Sequence, residues 1–151
     1  MDMNEELKKL IILENYQNPK NRGLVNDDTY KTINTNSVSC IDQIDLQVKI
    51  EDGIIKDVRF DGEACAICTS TTSIMINMLI GKTEEEALTI INNYHNMIEE
   101  KEYNEDILKE AVVYCDIAKQ PNRKKCATLT WEGMKELLDK DDENGKQTKN
   151  Y

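Results

Sequence analysis

A second histidine is missing from this sequence: among 151 residues there is one, His95. That excludes a Cys2His2 zinc finger, which needs a pair. Long apolar runs are missing too. The longest, Ile74 to Ile80, is broken by Asn77. It falls far short of the roughly 20 residues that span a bilayer. The opening MDMNEELKK lacks the basic start, apolar stretch and small-residue cleavage site of a secretory signal, so a cytoplasmic location is expected. Positive charge is scarce: 19 Lys and Arg stand against 29 Asp and Glu, for a net charge of −10. Such a surface repels phosphate, which argues against nucleic acid and an anionic membrane as partners and leaves a protein partner open.

What is present describes an ordinary globular composition, 32% charged and 39% apolar, in a chain long enough for one domain with its own core. Five cysteines stand out: Cys40, Cys65, Cys68, Cys115 and Cys126. An odd number in a reducing compartment argues against a disulfide framework and for metal or thiol chemistry.

Periodicity orders the chain. Leu7, Leu10, Ile11 and Tyr16 recur at helical spacing over 4–17, and NPKNRG (Asn18 to Gly23) ends that helix. Ile44, Leu46, Val48 and Ile50 alternate with polar residues, as in a strand with one wet face. Glu51 to Gly53 reads as a turn, IIKDVRF as the returning strand, and Thr29 to Ser37 as a third, weaker strand. Beyond Gly62 the pattern turns helical: Cys65 to Ile80 stopped by Gly81, a helix opened by the capping box of Thr83 to Glu86, and one capped by Asn104 with Leu108, Ala111, Val112 and Cys115 inside. Pro121 closes that segment, and a last helix is expected from about Cys126 to Leu138. The expected fold is α+β, a three-stranded antiparallel sheet with helices packed on one face. It occupies 1–138 and is followed by a polar tail at 139–151 that is expected to be disordered.

The cysteines fall into groups. Cys115 lies in an apolar stripe and reads as a small core residue. His95, amid NNYHNM, reads as part of a solvated helix face. Cys65 and Cys68 form a Cys-x-x-Cys pair, which suits a redox couple, half of a metal site, or one working thiol beside a bystander. A thioredoxin-like reading needs a βαβ context, and the preceding strands form a meander instead. Cys40, Cys65 and Cys126 sit at element ends, Cys126 directly after Arg123, Lys124 and Lys125. Helix N-termini and nearby cations favour the thiolate, which is both nucleophile and metal ligand. With Asp42 these three could close a tetrahedral zinc site; equally, they could be scattered small apolar residues.

Three separated segments, in order, resemble a known family. ENYQNPKNRG, FDGEACAICTSTTSIMINMLIGKTEEEA and QPNRKKCATLTWEGM are similar to the opening helix and turn, the central cysteine segment and the C-terminal cysteine segment of the SufU branch of IscU/NifU-N-terminal iron–sulfur cluster assembly proteins. The likeness runs from Leu10 to Leu138. The long connection between the last two segments, and Lys125 where IscU proper has a histidine before the third cysteine, fit the SufU branch.

The resemblance implies a zinc-dependent sulfurtransferase-type partner of a cysteine desulfurase (SufS-like), with Cys40, Asp42, Cys65 and Cys126 as zinc ligands. Cys40 would also be the thiol that receives persulfide sulfur, for passage to downstream iron–sulfur scaffold proteins. Cys68 stands where the family usually has a small or hydroxyl residue. Ser37-Val38-Ser39-Cys40-Ile41-Asp42 lacks the family's glycine between Cys and Asp, and Ala64 replaces a usual glycine, so the Cys40 loop is expected to be stiffer. Two other readings remain: a scaffold on which an iron–sulfur cluster is built, and a zinc-stabilised interaction domain without sulfur transfer.

Overall fold

The structure, a computed structural model, describes residues 4–36 and 42–139. Cys40 and the polar stretch 140–151 therefore lie outside the described residues, and with them the expected loop and most of the expected tail.

Three strands, β1 (Tyr30–Asn36), β2 (Gln43–Glu51) and β3 (Ile54–Glu63), pair antiparallel in the order β1-β2-β3. Asp52 and Gly53 join β2 to β3 with φ of 55° and 75°, the two-residue turn whose twist matches that of the strands. Alternation sends Ile33, Leu46 and Phe60 to one face in a single row, with Val48 and Val58 beside them, all buried. The sheet is thus half-covered, as the alternating pattern requires.

Helices cover the apolar face. They are α1 (Glu5–Gln17), α2 (Ala66–Leu79), α3 (Glu84–Ile98), the short α4 (Glu105–Leu108), a 3-10 stretch (Lys109–Lys119) and α5 (Pro121–Asp139). The capping box of α3 forms as expected, with Thr83 Oγ1 accepting from the Glu86 amide and Glu86 Oε1 from the Thr83 amide. Gly81, at φ 91°, follows the end of α2. Helix α5 lies close on the sheet at Gly133, where a Cβ would lie 2.5 Å from Thr35 Cγ2 and 3.3 Å from Leu46 Cδ1. Among the described residues no helix is long and apolar enough to cross a membrane.

Four local expectations change. Helix α5 begins at Pro121, not near Cys126, because proline has no amide to lose at a first helical position and its φ is already helical. Asn104 does cap a helix, but α4 lasts only four residues before Lys109 turns to φ 48° and a 3-10 stretch takes over. A period of three then aligns Leu108, Ala111, Tyr114 and Ile117 as the buried ridge, and Cys115 drops to a half-buried position. In α1 it is Ile11 and Ile12 that lean on the core, while Leu7, Leu10 and Tyr16 are exposed. His95 is half-buried rather than solvated, with its Nε2 3.0 Å from Glu132 Oε1.

Candidate metal centre

The strand ends prepare the site. Asp42 immediately precedes β2, and Cys65 follows β3 by two residues. Between them Gly62 pairs with Ile44 at φ 137°, and a Cβ there would lie 2.1 Å from the Gln43 carbonyl oxygen. Only glycine lets the two strands run together to this end of the sheet. The NPKNRG segment straps β3 from outside: the Gly23 amide donates to Phe60 O at 2.6 Å, and Arg22 Nη2 to Gly62 O at 2.7 Å.

Cys65 is the N-cap of α2, and its Sγ accepts from the Cys68 amide at 3.5 Å. The Cys65 amide donates to Asp42 Oδ1 at 2.7 Å, which fixes the carboxylate; Asp42 Oδ2 then lies 3.9 Å from Cys65 Sγ. Asp42 is only 1% exposed, a burial that a carboxylate tolerates when strong donors or a cation are at hand. Cys126, 4% exposed, arrives from α5. It lies in the second turn, not at the helix start, so Arg123, Lys124 and Lys125 belong to α5 itself.

The position of Cys126 is set by its neighbours. Tyr94 donates its hydroxyl to Ala127 O at 2.7 Å, and Thr72 Oγ1 pairs with Thr130 Oγ1 at 2.7 Å. Tyr94 also stacks on Trp131, with ring centroids 3.8 Å apart. Burial pushes the Tyr94 hydroxyl well above its ordinary pKa, and that of Tyr114 upward too, so both stay neutral. Sequence reading overlooked these tyrosines and Gly62. A tyrosine in an apolar stripe looks like core, and a strand glycine shows its purpose only when its cross-strand neighbour is known.

Asp42, Cys65 and Cys126 each offer a ligand atom, and these atoms all lie within 4.8 Å of one another. A zinc ion about 2.3 Å from sulfur sets tetrahedral edges near 3.8 Å, so small side-chain adjustments close the cage. Two thiols and a carboxylate suit zinc, and they also suit an iron–sulfur cluster. The other candidates lie elsewhere. Cys68 is buried in the core, Cys115 sits 3.8 Å from Lys8 Nζ on the α1 side, and His95 pairs with Glu132. Of the basic run, Lys124 reaches Glu99 at 3.9 Å, while Arg123 and Lys125 are exposed.

Against known proteins, residues 7–127 match the NifU-like N terminal domain. The zinc-dependent sulfurtransferase SufU of Bacillus subtilis is 32% identical over 139 residues, covering 91% of this chain and 93% of that protein. The iron–sulfur cluster assembly scaffold protein IscU of Thermotoga maritima is 36% identical over 129 residues, covering 85% and 90%. A candidate iron–sulfur cluster assembly scaffold protein for the SUF system from Fervidobacterium islandicum superposes with a TM-score of 0.78 at 32% identity, covering 85% of this chain and 93% of that one. The N-terminal NifU-like protein of Brucella abortus, at 21% identity and a TM-score of 0.77, shares the fold.

Proposed function

The chain belongs to the NifU-like N-terminal domain family, and on that premise we propose that it is a cytoplasmic zinc-binding sulfur acceptor serving iron–sulfur cluster assembly. What most supports this is the convergence of Asp42, Cys65 and Cys126, from three remote segments, to within 4.8 Å. Cys40, two residues before Asp42, is the fourth donor of the proposed set. Zinc bound there would keep the thiols deprotonated at neutral pH.

The roles differ by anchorage. Cys65 opens α2 and Cys126 is inside α5, so the backbone of each is fixed to its helix. Asp42 is held by the Cys65 amide. Cys40 belongs to the connection between β1 and β2 and is the proposed acceptor. Its thiolate attacks the outer sulfur of a cysteine desulfurase persulfide. The persulfide S–S bond breaks, the desulfurase thiolate leaves with the electron pair, and a persulfide forms on Cys40 with no net oxidation. Arg123 and Lys125, exposed on α5, are cations available to meet an acidic partner. The sulfur then goes to a downstream scaffold.

The test is alanine release by a SufS-like desulfurase. Cys40→Ala should abolish stimulation while docking persists, and the wild type should gain about 32 Da on Cys40, the mass of one sulfur in a persulfide cap. Full stimulation by Cys40→Ala, with no adduct on the wild type, would leave a zinc-held interaction domain. A second reading, a scaffold for a 2Fe–2S cluster, is favoured by the 36% identity to IscU of Thermotoga maritima. Anaerobic purification separates the two: near-stoichiometric zinc supports the acceptor, whereas iron with visible absorption supports the scaffold.

A further inference from the structure

Cys68 is the thiol that the proposed function leaves unused, and its placement relative to Cys65 is specific. Cys65 is the N-cap of α2 and half-buried, whereas Cys68, three residues on, is fully buried. The Cys68 amide already points at Cys65 Sγ, 3.5 Å away. Residues 66 and 67 are helical, so helix geometry puts the two Cα atoms about 5 Å apart. That lies inside the range a disulfide accepts, about 4.4–6.8 Å. One thiol is open to reagents and the other waits beneath it.

We propose that Cys65 and Cys68 form a dithiol–disulfide couple that peroxide oxidises reversibly, withdrawing Cys65 from the metal-ligand cluster. Cys65, the accessible sulfur, attacks the peroxide O–O bond; the sulfur is oxidised to a sulfenic acid and hydroxide leaves. The Cys68 thiol then attacks the Cys65 sulfur. The S–O bond breaks, the S–S bond forms, and the hydroxyl leaves as water with the thiol proton. One peroxide is consumed per disulfide, and an external thiol restores the pair.

Cys126 is the competing partner, since its ligand atom lies in the same cluster. It is on α5, however, which the Tyr94–Ala127 and Thr72–Thr130 hydrogen bonds hold against α2 and α3. A bond to Cys126 would tie two helices together, whereas a bond to Cys68 closes within a single turn of α2.

The experiment treats the full chain, as purified, with hydrogen peroxide, alkylates remaining thiols and maps tryptic peptides without reduction. Phe60 to Lys82 is one tryptic peptide holding both cysteines, cut after Arg59 and Lys82. It should become lighter by two hydrogen atoms relative to the dithiol and take no alkylating agent, and dithiothreitol should restore it. Any bound metal should leave in step with the disulfide and rebind after reduction. In Cys68→Ser the reversible fraction should fall roughly tenfold, with Cys65 proceeding to sulfinic acid instead. The peptide readout does not depend on zinc or on a desulfurase, so failure of the sulfur-acceptor reading leaves it intact. A disulfide from Cys65 to Cys126 or to Cys40, or a Cys68→Ser protein that oxidises as reversibly as the wild type, would overturn the proposal.

Discussion

In the middle of α2 the buried side chains of Ser70, Thr71 and Thr72 meet Tyr114, Tyr94, Trp131 and Thr130, whereas at its N-terminal end the gathered groups are Asp42, Cys65 and Cys126. Both places are polar; the first is fully buried, and the second is open only at Cys65. In the middle, each donor finds an acceptor. Trp131 Nε1–H donates to Thr71 Oγ1 at 2.8 Å, Thr71 donates to Tyr94 at 3.0 Å, and Tyr94 donates to the Ala127 carbonyl at 2.7 Å. The directions are forced, because the indole can only donate and the carbonyl can only accept. Ser70 and Tyr114 pair in the same way. At the N-terminal end, by contrast, the converging atoms are all acceptors once ionised. A donor chain satisfies itself, while a cluster of anions calls for a cation. The difference separates a polar core that holds helices together from a cluster whose donor set suits the proposed ion.

That contrast breaks most severely if the proposed ion is removed. Stripping zinc with a chelator, or substituting Cys65→Ser or Cys126→Ser, should lower the melting temperature by roughly 10 °C, since a tightly held ligand contributes about 4 kcal/mol at a thousandfold excess over Kd. Cys115→Ala should keep the metal, because that thiol faces Lys8 and lies outside the cluster. Metal content by elemental analysis beside thermal melting checks both.

Gly62→Ala strikes the frame of the ion site without touching a proposed ligand. A methyl group 2.1 Å from Gln43 O, at φ 137°, must separate β2 from β3 next to Asp42. The expected cost is about 3 kcal/mol, with weaker zinc binding. Retained stability together with lost zinc would show that the strand junction serves the site alone.

Tyr94→Phe cuts the donor chain and should leave the ion site occupied. It takes the side-chain donor from the Ala127 carbonyl, which keeps its place in the α5 ladder, and removes an acceptor from Thr71, for about 1–3 kcal/mol in denaturant melts. If zinc is lost as well, the two regions are one unit and the contrast drawn between them fails.

The smallest effect belongs to Glu132 and His95, which join α5 to α3 in a part-exposed pair. The hydrogen bond from His95, ahead of its charge, holds the Glu132 carboxyl below its ordinary 4.5. A depressed carboxylate stabilises the fold above its unfolded pKa and loses that contribution as pH falls through the folded one. The pair is part-exposed, so Glu132→Gln should cost less than about 1 kcal/mol near neutral pH, with the difference vanishing in acid and zinc content unchanged.

The sequence by itself determined what local rules govern. The meander follows from alternation at Ile44, Leu46 and Val48. Its tight turn follows from Asp52-Gly53, the start of α3 from Thr83 and Glu86, and the start of α2 from Cys65. Each depends on residues within a few positions of one another, where dihedral preference and period speak directly. Tertiary structure decided the rest. The 3-10 stretch exists because packing against α2 and α5 rewards a period of three at Leu108, Ala111, Tyr114 and Ile117, which a 3.6-residue reading cannot anticipate. The early start of α5 moved Cys126 from a helix end into its second turn. The meeting of Asp42, Cys65 and Cys126 joins a strand entrance, a helix start and a helix interior up to 84 positions apart, and no periodicity connects them. Ligand types can be read along a chain, but a cage is a matter of distance, and distance between remote segments is set by how the core packs.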